Sequence, residues 1–203
     1  MKKVIGNTKK GLLMVVMLAS SLSFASEGTP FFRLLNNAKK TALTLENVRE
    51  GNTLYIKDHY GVKLYEEVIH TNGLFSKGFD LTALPNGDYH FELDTEMQIK
   101  VIPFTVESNA IEVDSEMAEI IFKPTIRVKD NLVFVSKLAL DNEPLKIEVY
   151  HEKPYGSELM LTETIKGTKN IERVYKLTDD LKNGDYKIVF HTNGREFTKF
   201  IAN

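Results

Sequence analysis

Leu81-Thr82-Ala83-Leu84-Pro85-Asn86-Gly87-Asp88-Tyr89-His90-Phe91-Glu92-Leu93 returns, altered, as Leu177-Thr178-Asp179-Asp180-Leu181-Lys182-Asn183-Gly184-Asp185-Tyr186-Lys187-Ile188-Val189. Each stretch is an apolar lead-in, a tight turn and an alternating run. Asn-Gly supplies the left-handed backbone that tight turns need, and an Asp beside it bonds its own backbone. Alternation from the tyrosine onward has the period of a strand with one buried face. Asn86-Gly87 and Asn183-Gly184 are thus expected to turn the chain into a penultimate strand. Tyr89 and Tyr186 are expected to bury their rings and keep their hydroxyls bonded.

Two further landmarks recur in the same order. Pro30-x-x-Arg33 reappears as Pro124-x-x-Arg127, and Leu45-Glu46-Asn47 as Leu140-Asp141-Asn142. The offsets are 94, 95 and, at the opening motif, 97. Short loop insertions account for that drift, so the chain reads as a tandem duplication. His70-Thr71-Asn72-Gly73 also recurs, letter for letter, as His191-Thr192-Asn193-Gly194. In the repeat frame His191 aligns with Asp94, so these two are shared hairpin chemistry and not a duplicated site.

Outward from the motif, short alternating runs follow one another. In the first copy they are 54–57, 62–68, 89–93 and 98–102, and in the second 145–150, 159–163, 186–190 and 197–201. They are rich in β-branched and aromatic residues, with turn residues between them. Nothing after residue 25 sustains a helical period. The expected fold is all-β, two tandem antiparallel immunoglobulin-like sandwiches over residues 26–112 and 118–203. The acidic stretch 107–119 reads as a final strand running into a brief connection.

Residues 1–25 have the form of a cleaved signal peptide. Lys2, Lys3, Lys9 and Lys10 precede a short apolar run, and Ser23-Phe24-Ala25 carries small residues at the two inspected positions. The apolar run is about half the roughly 20 residues a spanning helix needs, so no membrane insertion is expected after cleavage. The expected location is periplasmic, outer-membrane-associated or secreted. The chain has no cysteine, which excludes disulfides and thiolate metal sites. Without the four leader lysines, 22 basic residues face 28 acidic ones, a net of −6. That balance argues against nucleic acid as a partner.

No constellation reaches a named chemistry, and no catalytic residue, metal or cofactor is expected. His59, His70, His90, His151 and His191 lack metal-ligand spacing. His90 is expected to point off the sheet, opposite Tyr89 and Phe91. Glu112, Asp114 and Glu116 would share one strand face, too few oxygens for calcium. Asp88 and Asp185 read as turn residues. Gly156-Ser157 lacks the nucleophile-elbow pattern. A hydrolase would have to gather two or more of Glu66, His70, Asp88, His151 and Asp185. Tyr55, Tyr60, Tyr65, Tyr150 and Tyr155 cluster around the central hairpins and are the candidate binding residues, for an unknown protein or glycan partner. The Phe197-to-Ile201 strand offers an edge for a dimer or a strand-addition complex.

The pattern Leu177-Thr-x-x-Leu181-x-Asn183-Gly184-x-Tyr186, an alternating strand, Asn193-Gly194 and a closing strand resembles a known family. It is similar to the C-terminal sorting modules of Bacteroidota type IX secretion and related Ig-like domains. The resemblance covers about the last 30 residues well and the rest as architecture. It implies a β-sandwich fold and, as an alternative to a binding or structural protein, a sorting or envelope-attachment role for the last module. A carbohydrate-binding or hydrolase-accessory sandwich is the second alternative.

Overall fold

The computed structural model describes residues 31–37, 40–129, 132–176 and 186–201. The expected signal peptide and the Asn183-Gly184-Asp185 turn lie outside these residues. Seven strands build the first module: β1 (Phe32–Asn37), β2 (Lys40–Val48), β3 (Thr53–Asp58), β4 (Lys63–Val68), β5 (Gly73–Phe79), β6 (Gly87–Asp94) and β7 (Gln98–Glu107). β8 (Ala110–Val113) and β9 (Glu119–Phe122) follow. The second module has β10 (Thr125–Lys129), β11 (Leu132–Leu138), β12 (Leu145–Lys153), β13 (Gly156–Ile165), β14 (Asn170–Lys176), β15 (Tyr186–Thr192) and β16 (Arg195–Ile201).

The sheets carry the duplication in their strand order. In the first module β1-β2-β5 faces β4-β3-β6-β7, and in the second β10-β11-β14 faces β13-β12-β15-β16. Each module therefore divides three strands against four in the same order, an immunoglobulin-like sandwich in which the fourth strand joins the third. All the pairings are antiparallel. Asn47 and Asn142, equivalent by sequence, both take the left-handed backbone, at φ 58° and 57°.

Alternation buries one face of each sheet against the other. In the first module Leu43 and Leu45 of β2 meet Leu54 and Ile56 of β3, Phe91 of β6 and Phe104 of β7. In the second, Val133 and Val135 of β11 meet Ile147, Ile188 and Phe190. The ring of Phe91 lies 4.9 Å from that of Phe104 and 5.4 Å from that of Phe79, and truncating such a ring costs about 3–5 kcal/mol.

β8 and β9 differ from the expected single strand and brief connection. β8 pairs with the end of β7 (Val106↔Ile111), and β9 with its start (Ile99↔Ile121). The chain thus doubles back along β7 before the second module begins. The range expected for that module, 118–203, takes in β9, whose ladder hydrogen bonds belong to the first module. Two short strands satisfy an edge that would otherwise stay open along all ten residues of β7.

Candidate functional site at the module junction

The two sandwiches meet on the outer face of the β6–β7 sheet. β6 turns Tyr89, Phe91 and Leu93 inward, which leaves His90, Glu92 and Asp94 outward, and β7 adds Ile99 and Val101 to that outer face. Phe197 of β16 packs on Ile99, Val101 and Ile121. Beside this apolar seat Glu92 is only 2% exposed. Lys57 Nζ donates to its Oε1 at 2.6 Å, and Arg195 Nη2 donates to its Oε2 at 2.7 Å. His90 Nε2 lies 3.7 Å from the same carboxylate. Burial alone would raise the Glu92 carboxyl. Hydrogen bonds from His90, Arg195 and Lys57 outweigh that and hold it well below the ordinary carboxylate range. A buried carboxylate with two charged donors fixes one arrangement of the groups around it.

A cleft of about 710 Å³ opens next to this contact, at the β2–β3 and β6–β7 turns. Asn52, Thr53, Tyr55, Thr95 and Lys100 of the first module line it together with Lys123 and with Lys199 of β16. Lys123 Nζ bonds Asp94 at its wall. A second cleft of about 600 Å³ lies beside β8, lined by Asp88, Glu112, Asp114 and Glu116. There Asp114 Oδ1 accepts from the backbone N–H of Glu116 and Met117, and Asp88 accepts from Thr105 Oγ1 at 2.9 Å. Both carboxylates are engaged locally. Among the described residues no group of three metal-ligating side chains is assembled.

The five candidate tyrosines do not form one platform. Tyr60 (81% exposed) and Tyr155 (102%) stand at the β3–β4 and β12–β13 turns, equivalent hairpin tips of the two modules. The His59 ring lies tilted against that of Tyr60, with centroids 3.6 Å apart. Tyr55 lies on the outer face of β3, with Lys57 Nζ 4.9 Å from its ring centre. Tyr150 lies on β12, half-buried, with Lys187 Nζ 4.9 Å from its ring centre. Tyr65 turns inward instead, edge-on to Phe79 at 5.3 Å, and its hydroxyl donates to Glu67.

The remaining motif residues separate as the repeat frame requires. Tyr89 is buried and its hydroxyl donates to Pro85 O at 2.8 Å, the tyrosine corner of sandwich folds. Tyr186 is equally buried, and among the described residues its hydroxyl has no partner. Asn86 Oδ1 accepts from Ser108 N at 3.1 Å. Asn193 and Gly194, at φ 50° and 65°, form the two-residue turn between β15 and β16, whereas His70 to Asn72 lead from β4 into β5. His191 meets Glu148 at 3.0 Å and His151 lies 5.6 Å from the Tyr186 ring. Asp88 lines the cleft beside β8, and neither Glu66, His70 nor His151 joins it.

Two features had no place in the sequence reading. Glu92 and Arg195 are 103 residues apart, and Glu92 aligns with Val189, so no repeat signal marks them. The second did leave a trace. Glu67 on β4 accepts from Tyr65 and from Lys77 Nζ of β5 (2.7 Å). Glu163 on β13 accepts from Tyr175 Oη and Arg173 Nε of β14, both at 2.7 Å. Each trio ties the edge of one sheet to the edge of the other, and the constant offset of 96 between both carboxylates and both cations was its signal.

No protein-family model and no curated protein matches the chain. Among solved structures it is similar to the human OSCAR ligand-binding domain, with TM-score 0.26 and 9% identity over 86% of this chain and 97% of that one. It is similar also to the chicken interferon gamma receptor alpha chain, with TM-score 0.28 and 9% identity over 84% and 95%. A biofilm-associated protein BSP domain is similar at TM-score 0.25 and 11% identity, over 85% of this chain and 29% of that one. The sandwich assignment rests on the strand order of the two modules.

Proposed function

We propose that the chain is an exported, non-enzymatic binding or structural protein whose two sandwiches act as one rigid body. The modules run over 31–122 and 124–201 in this reading. The observation that carries it is the buried Glu92, held by Lys57 from its own module and Arg195 from the other. Such a junction costs desolvation and contributes no chemistry of its own, and its return is a fixed relation between the loops of both modules. Export is the reading of the lysine-rich, apolar N-terminus, and among the described residues no helix is long and apolar enough to cross a membrane. The partner-facing elements are the two equivalent hairpin tips, where Tyr60 and Tyr155 stand free of the core. Exposed aromatic tips on a rigid scaffold are suited to contact at low entropic cost.

The test is site-specific photo-crosslinking in the producing cell, with the photoreactive residue at Tyr60, at Tyr155 and, as control, at the core position Phe190. A discrete adduct from either tip and none from Phe190 is expected. Absence of an adduct from both tips, in a chain exported at its normal level, overturns the assignment of these turns to a partner.

A further inference from the structure

The cleft at the β2–β3 and β6–β7 turns contains a cation without a counter-charge. Lys100 sits opposite Leu93 in the β6–β7 ladder and therefore points to the inner side of its sheet. It is 8% exposed, lines the cleft, and holds its ammonium 4.8 Å from the centre of the Phe31 ring. No carboxylate among the described residues pairs with it, and burial pushes its ammonium below the usual lysine range with no acid acting against that push. The side chain is largely covered, its ammonium has a ring face as its protein partner, and it is left open to a counter-charge from the cleft. The other buried lysine among the described residues is treated differently, since Lys137 bonds Glu143 and the Leu138 carbonyl.

We propose that this cleft binds a small carboxylate-bearing ligand, with Lys100 as the charge partner. The inference deepens the reading of the chain as a binding protein and adds a ligand class to it. The cations of the lining are Arg49, Lys100, Lys123 and Lys199, and the acids are Glu50, Asp94 and Glu96. With Lys123 spent on Asp94, a dianion such as phosphate would face two further carboxylates. A single negative charge balances the lining. Asn52 and Thr53 add polar edges, and Lys199 brings the second module into the same wall, so ligand and module contact are neighbours.

The experiment is an NMR titration of the intact exported chain, following the amides of Asn52, Thr95 and Gln98 and the side chain of Lys100. The probes are sodium glucuronate, N-acetylglycylglycine, glucose and inorganic phosphate. Saturable shifts with the two carboxylates and none with glucose are expected. Glucuronate alone would mark the source as an acidic sugar, and the dipeptide alone a peptide terminus. Lys100→Met removes the charge while keeping an apolar stem, and should weaken the carboxylate probes about 10–100-fold, as loss of a charge-assisted hydrogen bond does. Its thermal midpoint should hold or rise. Lys100→Arg should restore part of the response. No saturable shift with either carboxylate, shifts that survive Lys100→Met, or a response to phosphate alone each overturns the proposal. A failed titration beside positive cross-links from the hairpin tips would remove the cleft ligand and leave the binding reading in place.

Discussion

Arg195, the first residue after the tip of the last hairpin, donates to Glu92 on the outer face of β6 across 103 residues of chain, at 2.7 Å. Both modules contribute to that one carboxylate, because Lys57 reaches it from β3 on the other side. With Phe197 seated on Ile99, Val101 and Ile121, the contact combines an apolar seat with a charge bonded at both oxygens. This contact is what supports the proposal that the two sandwiches act as one body.

Removing one partner of this group leaves the others exposed to the cost of burial. Glu92→Ala strands Lys57 and Arg195 and should cost about 3–5 kcal/mol. Arg195→Ala leaves Lys57 on the carboxylate, and the Glu92–Arg195 coupling from a double-mutant cycle should be about 1–3 kcal/mol. Denaturant unfolding of the four proteins measures both, and a coupling near zero would remove the pair from the junction.

Acid should loosen the same contact. The folded Glu92 carboxyl titrates below its unfolded value of about 4.3. The unfolded state therefore takes up protons first as pH falls. The stabilisation is fully present above about pH 5 and is lost progressively below about pH 4. Glu92→Gln should flatten the stability–pH curve in that window while lowering stability at neutral pH, and an unchanged acid limb in the variant would assign it to other carboxylates.

Tyr89→Phe keeps the ring in the core and leaves the Pro85 carbonyl without its donor. The expected loss is about 1–2 kcal/mol in thermal or denaturant unfolding. A loss below a few tenths would mean that water replaces the hydroxyl at no cost.

The clasp between β13 and β14 should be separable into its parts. Tyr175 is pushed upward by burial and by the Glu163 carboxylate it bonds, so it should ionise last among the tyrosines in a spectrophotometric titration. Tyr175→Phe should cost about 1 kcal/mol. Arg173→Ala, at a partly exposed pair, should cost about 0.5 kcal/mol and less in high salt. If the arginine change proved the larger, the clasp would be ionic in origin.

A glycine with φ near 65° marks the turn between β15 and β16. Gly194→Val should cost about 1–2 kcal/mol, the price of a left-handed branched residue. His70-Thr71-Asn72-Gly73, with the same letters, sits in a different connection. Repeat registration separated the two from sequence because the tyrosine and the turn before it supply an independent alignment.

The strands and the tyrosine corner were legible because they depend on neighbours close in sequence. The turn expected at Asn86-Gly87-Asp88 was not found: Gly87, at φ 157°, and Asp88 open β6, and Asp88 bonds Thr105 across the ladder. In β12 the alternation of Leu145, Lys146, Ile147 and Glu148 is already the alternation of its buried and exposed faces. The duplicated carboxylate–cation clasps went unread, although the constant spacing of 96 between their carboxylates and cations was present in the sequence. The exposure of Tyr60 and Tyr155, and the inward turn of Tyr65, depended on how each hairpin meets the opposite sheet.

By itself the chain determined two copies of an antiparallel sandwich, since period-two patterning and turn chemistry are local properties. Tertiary structure decided which faces are covered. Alternation alone would leave Glu92 in water, yet the second module sits on its face. At Ile99-Lys100-Val101 the apolar residues point outward to Phe197 and the lysine points inward. Side chains in a strand alternate sides, so a single step of register exchanges the two faces. That step is set by ladder hydrogen bonds to β6, β8 and β9, and by a partner sheet almost a hundred residues away.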